Sequence, residues 1–409
     1  MWLLNTETLK LKEFYGTNLP SYAILSHTWS DDEVQFYEGA NIAIEAFQKL
    51  GRYQKILKFA HAAKAYGYEW VWMDTVCIDK RSSAELSEAI NSMYHWYGAA
   101  ELCIVYLSDV PPKSAVEDPQ SDAVLKEAFE KSRWFTRGWT LQELIASRKR
   151  VFLAEDWSMI PNDMWGPDKM YYVISCITGI TVLVLRNSKK LNSICIAERM
   201  SWASRRETSR PEDLAYSLMG IFGVNMAVLY GEGLENAFRR LQDEIMKKSF
   251  DQTIFAWRGP YLSSGLLAHT PANFRDTPTL GLWAPDYLAA YSMTNVGLQI
   301  RPFVLEKSSN CIYAALQCDI CIAGSWKILC LPLRQIEDTY CTLNGMKCKA
   351  YRRIDCSEWH TFDQAEFIGN RTRTLLVLEN SQLDQVLASI ESHDARWAAV
   401  DRDTEMGEL

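Results

Sequence analysis

A chain of 409 residues exceeds what one hydrophobic core ordinarily organises, so two to three domains are expected. Its 48% hydrophobic and 23% charged residues are the composition of a folded globular protein and exclude a disordered one. A net charge of −8, from 43 basic and 51 acidic residues with no long basic tract, lacks the cationic footprint of nucleic-acid binding, so no nucleic-acid partner is expected.

The N-terminal Met-Trp-Leu-Leu-Asn-Thr-Glu has neither a charged n-region nor an apolar h-region, so no secretory signal is read there. The longest uncharged runs, 170–185 and 214–231, are broken by Ser, Thr, Gly and Asn. Both fall short of the ~20 apolar residues that cross a bilayer, so no membrane span is expected. Eleven cysteines, an odd number without the spacing of a small disulfide framework, point to reduced thiols and a cytoplasmic location.

Along the chain, the first half alternates strand and helix patterns. Tyr22-Ala-Ile-Leu-Ser26 reads as a strand ending at His27-Thr28-Trp29. Phe47, Leu50, Ile56, Leu57, Phe59 and Ala60 then share a helical face, and Gly67 stops it. Glu69-Trp-Val-Trp-Met-Asp74 reads as a second strand opening into a polar loop through Cys77 and Asp79. Leu86, Ile90, Met93 and Tyr97 recur at helical spacing over 84–97. A third strand follows over 102–107, a proline-bearing loop over 110–120, a helix over 123–131 and a fourth strand over 151–154. This alternation predicts parallel βαβ units, with helices on both faces of the sheet. Ligands of such sheets bind beyond the carboxyl ends of the strands. Ser26-His27-Thr28-Trp29, residues 74–79 and Ser108-Asp109 are therefore expected along one rim.

Residues 195–250 carry helical stripes. Ser209-x-x-Glu212 has the form of a capping box, followed by Leu214, Leu218, Ile221 and Phe222, then by Leu234, Phe238, Leu241 and Ile245. From about 251, short apolar runs separated by turns (298–304, 311–315, 374–378) predict a β-rich second domain. The acidic last ten residues are expected to fray.

Three blocks, Tyr22-Ala-Ile-Leu-Ser-His-Thr-Trp29, Trp72-Met-Asp-Thr-Val-Cys-Ile-Asp-Lys80 and Arg133-Trp-Phe-Thr-Arg-Gly-Trp-Thr-Leu-Gln-Glu-Leu144, resemble the signature blocks of the fungal heterokaryon-incompatibility (HET) domain. Blocks at 199–205, 212–224 and 229–233 continue the resemblance in order to about residue 250, with Ser209 and Ala227 as small departures. The resemblance implies a cell-death effector of fungal self/non-self recognition, activated by self-association or a protein partner. It also implies distant kinship with Toll/interleukin receptor (TIR) domains, whose flavodoxin-like α/β sheets often cleave the N-glycosidic bond of NAD through one glutamate. On that basis the expected organisation is a TIR-like core over 1–160, a helical elaboration over 161–250 and a β-rich domain over 251–409. NAD would be a substrate; no cofactor is implied. The rival is a non-enzymatic adaptor whose strand-end face recruits a partner.

Trp139-Thr-Leu-Gln-Glu143-Leu144 matches the glutamate block, which makes Glu143 the catalytic candidate. On a helix, Trp139, Gln142 and Glu143 share a face, while Leu141, Leu144 and Ile145 anchor another. One carboxylate stabilises an oxocarbenium-like state or grips ribose hydroxyls; the plain alternative is a solvated carboxylate near Arg137 or Arg148. Glu143→Gln is expected to fold and to melt like the parent. Asp74 and Asp79 read either as a cradle for ribose hydroxyls or as loop caps. Cys77 reads as a nucleophile with His27 or as a small buried hydrophobe. Ser26 and His27 meet a phosphate or satisfy the backbone. Trp29, Trp134 and Trp139 offer rings to a base, with one expected in a pocket. Arg133 and Arg137 are suited to clamp a pyrophosphate, or are exposed helix-end cations. Cys318-x-x-Cys321 lies in an apolar run where strand geometry separates the two thiols, and no second pair completes a zinc set, so no metal is expected.

Overall fold

In the computed structural model the described residues are 1–16, 18–43, 49–113, 119–167, 169–260, 265–283, 290–308, 310–343, 346–379 and 382. Phe47, part of the proline loop and the acidic C-terminus lie outside them. The chain folds as two compact units. The first comprises Met1–Ile194 with Trp202–Leu241, and the second Cys195–Ser201 with Gln242–Leu409. The helices expected over 161–250 thus divide between the two, and the helix Leu234–Lys248 straddles the division.

The first unit is mixed α/β around a mostly parallel sheet. Its strands are β1 (Trp2–Asn5), β2 (Leu11–Glu13), β3 (Tyr22–His27), β4 (Trp70–Trp72), β5 (Leu102–Tyr106) and β6 (Arg150–Leu153). Their spatial order is β2-β1-β4-β3-β5-β6. β4, β3, β5 and β6 are mutually parallel; β1 and β2 form an antiparallel edge. That edge was not legible as strands. All six residues of β3 are buried, which is why its sequence is apolar on both faces rather than alternating. The parallel register carries Ser26, Asp74 and Ser108 to the same end of the sheet.

The crossovers are helices α1 (Gln54–Ala65), α2 (Ser83–Ala99), α3 (Pro119–Glu130) and α4 (Thr140–Ala146). α1 ends where Gly67 turns left-handed (φ +87°), its N–H closing on the Lys64 carbonyl at 2.9 Å. The Ser82 hydroxyl caps α2 by accepting from the Glu85 N–H at 3.3 Å. The stripe Ile90, Met93 and Tyr97 is buried, as its spacing predicted. α2 packs against α4 and against the short helix Met219–Phe222, where a Cβ on Gly220 would lie 2.1 Å from Tyr94 Cβ. Only glycine permits that approach.

The capping box expected at Ser209–Glu212 does not form. Glu212 precedes the helix Asp213–Tyr216 without a side-chain cap, and its carboxylate instead accepts from the N–H groups of Gly231 and Gly233 at 2.9 and 3.0 Å. That link folds the 229–233 turn back onto the helix.

The second unit is a curled, β-rich sheet. Strands β7 (Leu280–Leu282), β8 (Ser292–Thr294), β9 (Gly297–Ile300), β10 (Val304–Glu306), β11 (Cys311–Ile322), β12 (Ser325–Leu343), β13 (Met346–Arg353), β14 (His360–Phe362) and β15 (Leu375–Leu378) are joined in it. Its main path runs β10-β11-β12-β13-β15-β9-β8, antiparallel except between β13 and β15. β11 and β12 run longer than the apolar runs in their sequence, and a register shift between Ala315 and Asp319 interrupts their pairing. Cys318 is buried and Cys321 is half-buried on the other face. Among the described residues no three metal-ligating side chains converge, and no helix is long and apolar enough to cross a membrane.

Candidate functional site

In the first unit, a cavity of about 190 Å³ opens beyond the carboxyl ends of β3 and β4. It lies beside the point where the strand order reverses about β3, where open α/β sheets place their ligands. His27 from β3, Asp74 after β4, and Trp139 and Glu143 of the α4 region all line it. One wall is apolar, made by Ile78 and by the α2 residues Leu86, Ile90 and Met93.

α4 sets Glu143, and every one of its seven residues is buried. The Thr140 hydroxyl donates to the carbonyls of Trp134 (2.5 Å) and Arg137 (2.9 Å). Arg206 donates to the same Arg137 carbonyl at 2.8 Å and to Thr140 Oγ1 at 3.0 Å. Just before the helix, the Gly138 N–H meets the Glu207 carbonyl at 2.8 Å, and a Cβ there would stand 2.4 Å from Thr208 Cγ2. At the other end Ser147 Oγ donates to the Glu143 carbonyl at 2.7 Å. A seven-residue helix is marginal by itself, so these tertiary ties hold it.

Glu143 is 7% exposed. Its Oε2 is hydrogen-bonded to Ser26 Oγ, which itself accepts from Trp134 Nε1 at 2.8 Å. Burial pushes its carboxyl up to about 8; Asp74 adds to the rise, while Ser26, Arg137 and Tyr97 oppose it. At neutral pH the group is therefore mostly protonated. A cation entering the cavity favours the carboxylate.

Asp74 accepts from Trp29 Nε1 at 2.9 Å and lies 3.5 Å from His27 Nε2 and 3.7 Å from Lys80 Nζ. Neither ring nitrogen of His27 has a hydrogen-bond partner, although the side chain is buried. Burial first, then Lys55, Arg137 and Lys80, hold its proton affinity well below the ordinary histidine value, so the ring is neutral. Trp29 stands at the mouth, 43% exposed, with Lys80 Nζ 3.7 Å and Arg137 Cζ 5.4 Å from its ring centroid.

Of the residues singled out from the sequence, His27, Trp29, Asp74, Arg137, Trp139 and Glu143 line the cavity together. Ser26 sits behind Glu143, and Gln142 turns beneath it with Nε2 3.3 Å from Met93 Sδ. Trp134 is fully buried, so two of the three tryptophans face the cavity rather than one. Cys77, Asp79 and Arg133 do not line it. Cys77 is buried, and burial raises its thiol to about 12, which removes the thiolate a nucleophile needs. Asp79 is clamped by Arg81 at 2.9 and 2.8 Å. Arg133 is exposed near Asp109, whose carboxylate accepts from the Arg133 N–H at 2.9 Å and from Ser132 Oγ at 2.7 Å.

Sequence reasoning missed Lys80, Tyr97, Thr208, Ser209, Arg210, Asp213 and Tyr230, which also line the cavity. The Tyr97 hydroxyl donates to the Leu25 carbonyl at 2.7 Å. Tyr230 donates to Asp213 Oδ1 at 2.9 Å, and the Arg210 guanidinium stacks 4.1 Å from the Tyr230 ring centroid. Burial raises the Asp213 carboxyl, opposed by hydrogen bonds from Trp139 and Tyr230. The available signal was a charged cluster, Arg210-Pro-Glu-Asp213, opening an apolar helix.

These features define a mixed α/β domain with an ionisable, aromatic-rimmed cavity at the carboxyl ends of its parallel strands. Residues 22–123 match the family model described as heterokaryon incompatibility protein (HET), and residues 236–303 match a domain of unknown function, DUF8212. The vegetative incompatibility protein HET-E-1 of Podospora anserina is 44% identical over 236 residues, covering 58% of this chain. The chain spans only 17% of that relative's length. The chain thus carries a HET domain, placed by the family model at residues 22–123. No solved structure gives a significant match.

Proposed function

We propose that this chain is a cell-death effector of fungal self/non-self recognition whose HET domain hydrolyses the N-glycosidic bond of NAD or a related nucleotide. The observation that carries the reading is the convergence of Glu143, Asp74 and the indoles of Trp29 and Trp139 on one cavity. An adaptor working through a flat face has no need of a buried carboxyl there. The parallel order β4-β3-β5-β6, with the first strand inside and the second beside it, is also the order of flavodoxin-like sheets and supports the TIR-like kinship.

Bound nicotinamide–ribose carries its positive charge on the ring nitrogen. As the C1′–N bond breaks, the electron pair moves to that nitrogen, nicotinamide leaves neutral, and the positive charge passes to the sugar. The Glu143 carboxylate faces that developing charge in a site largely closed to water, where a fixed opposite charge has most effect. Water then bonds to C1′ and gives its proton to the carboxylate. Trp29 and Trp139 offer aromatic faces to the leaving ring. Activation by self-association or a protein partner belongs to the same proposal and rests on the family resemblance alone.

Expression in a fungal host tests the reading. Induction of the wild-type chain is expected to deplete cellular NAD before viability falls, and Glu143→Gln at equal abundance is expected to do neither. Killing by the Gln protein with NAD intact would refute the enzymatic reading and favour the adaptor.

A further inference from the structure

The cavity is graded. His27, Tyr97 and Glu143 are buried at its base, 5%, 2% and 7% exposed. Asp74, Lys80, Arg137 and Trp139 are half-buried, and Trp29, Arg210 and Tyr230 are exposed at the mouth. The partnerless ring nitrogens of His27 sit at the base, and cations sit above them. Among the described residues neither Arg137 nor Arg210 is ion-paired; each lies over an aromatic ring instead. Lys80 Nζ is buried, has no hydrogen-bond partner and is ion-paired with Asp74 at 3.7 Å. Among the lining residues these three cations outnumber the carboxylates Asp74 and Asp213 once Glu143 is protonated; from outside the lining, Glu33 acts on Lys80 and Glu212 on Arg210.

The volume, about 190 Å³, is below the ~300–1,000 Å³ of pockets that enclose a drug-sized ligand. It admits a flat ring and one sugar, not a dinucleotide. The apolar wall of Ile90 and Met93 suits the ring. A sugar hydroxyl both donates and accepts, and so can meet an idle nitrogen of a neutral His27 whether that nitrogen carries the N–H or the lone pair.

We propose that the cavity takes a single nucleoside unit, with the phosphate on its sugar held at the mouth by Lys80, Arg137 and Arg210. The recognition element is thus a ribose 5′-phosphate, and the second half of a dinucleotide stays outside. This deepens the glycosidic reading above and rests on it for the reaction, though not for the binding. Each charge-assisted contact to phosphate contributes roughly 10- to 100-fold in affinity.

Titration calorimetry of nicotinamide riboside, nicotinamide mononucleotide and NAD into the Glu143→Gln protein separates the two claims. The mononucleotide and NAD are expected to bind at one site within about threefold of one another, and the riboside at least ~30-fold more weakly. Arg210→Ala and Lys80→Ala, each added to the Gln background, are expected to narrow the gap between mononucleotide and riboside. NAD binding at least ~30-fold tighter than the mononucleotide would overturn the single-unit proposal while leaving NAD hydrolysis standing, as would equal binding of riboside and mononucleotide. No binding of any of the three would overturn it as well. The expected binding pattern without turnover by the wild-type protein would instead refute hydrolysis and keep the site.

Discussion

Replacing Glu143 by Gln is expected to stabilise the protein, and more so as pH rises. The folded carboxyl titrates near 8, against about 4.3 for an exposed glutamate in the unfolded chain. Between those values the folded state holds a proton that the unfolded state has released, so stability is full at low pH and falls as pH rises toward 8. At 1.36 kcal/mol per unit, the loss is on the order of 3–4 kcal/mol at pH 7 and about 5 kcal/mol above pH 9. Gln has no proton to lose and keeps a partner for Ser26 Oγ, so it escapes this penalty. The reading from sequence alone put Glu143 at a cleft surface and expected no change in melting; its 7% exposure reverses that expectation. Urea unfolding at pH 5, 7 and 9 measures the difference, read on the transition that carries the first unit. Near-coincident midpoints at pH 5 should separate progressively by pH 9, with slopes unchanged. A pH-independent difference, or a Gln protein less stable than wild type at pH 9, would refute the assignment of a raised, burial-driven carboxyl.

Three further outcomes follow from the same geometry. kcat/KM for nicotinamide release should rise with pH up to about 8 and then level, because the free protein must ionise Glu143; a profile flat from pH 6 to 9 would contradict this. Gly138→Ala should lose ~1–3 kcal/mol of stability and most activity, since its Cβ meets Thr208 Cγ2; adding Thr208→Ser, which removes that methyl, should restore part of both, and no restoration would show the clash is not the cause. Cys77→Ala should keep its rate while losing ~1–2 kcal/mol of stability in urea melts; a large rate loss in folded protein would revive the thiol reading.

The fold was legible where periodicity and burial agree. β3 and β5 are apolar on both faces, and α2 shows an unbroken i, i+4, i+7 stripe, so their types and near-boundaries could be read directly. β1 and β2 escaped because three- and four-residue strands at a sheet edge leave too little pattern. Within the site, Glu143, Asp74, His27 and Trp29 were visible because each ends an element or stands in a recognisable block. Lys80 and Tyr97 were hidden in plain contexts: a lysine closing a loop and a tyrosine in a packing stripe look the same whether or not a cavity lies beside them. The second wall was misread for a physical reason. Ser209-x-x-Glu212 has the local chemistry of a cap, but the Glu212 carboxylate is drawn to the N–H groups of Gly231 and Gly233, about twenty residues on. Local pattern does not report a tertiary competitor for the same carboxylate.

The central claim is that the HET-domain cavity cleaves a ribosyl–nicotinamide bond through Glu143. Its most direct test is incubation of the purified full chain with NAD at pH 8, with nicotinamide and ADP-ribose quantified by chromatography against Glu143→Gln. The expected result is stoichiometric release of both products by wild type and about a hundredfold lower rate from a folded Gln protein, the usual cost of one well-placed electrostatic contact. Equal release by both proteins, or release by neither when the protein is assembled and bound to the nucleotide, would contradict it.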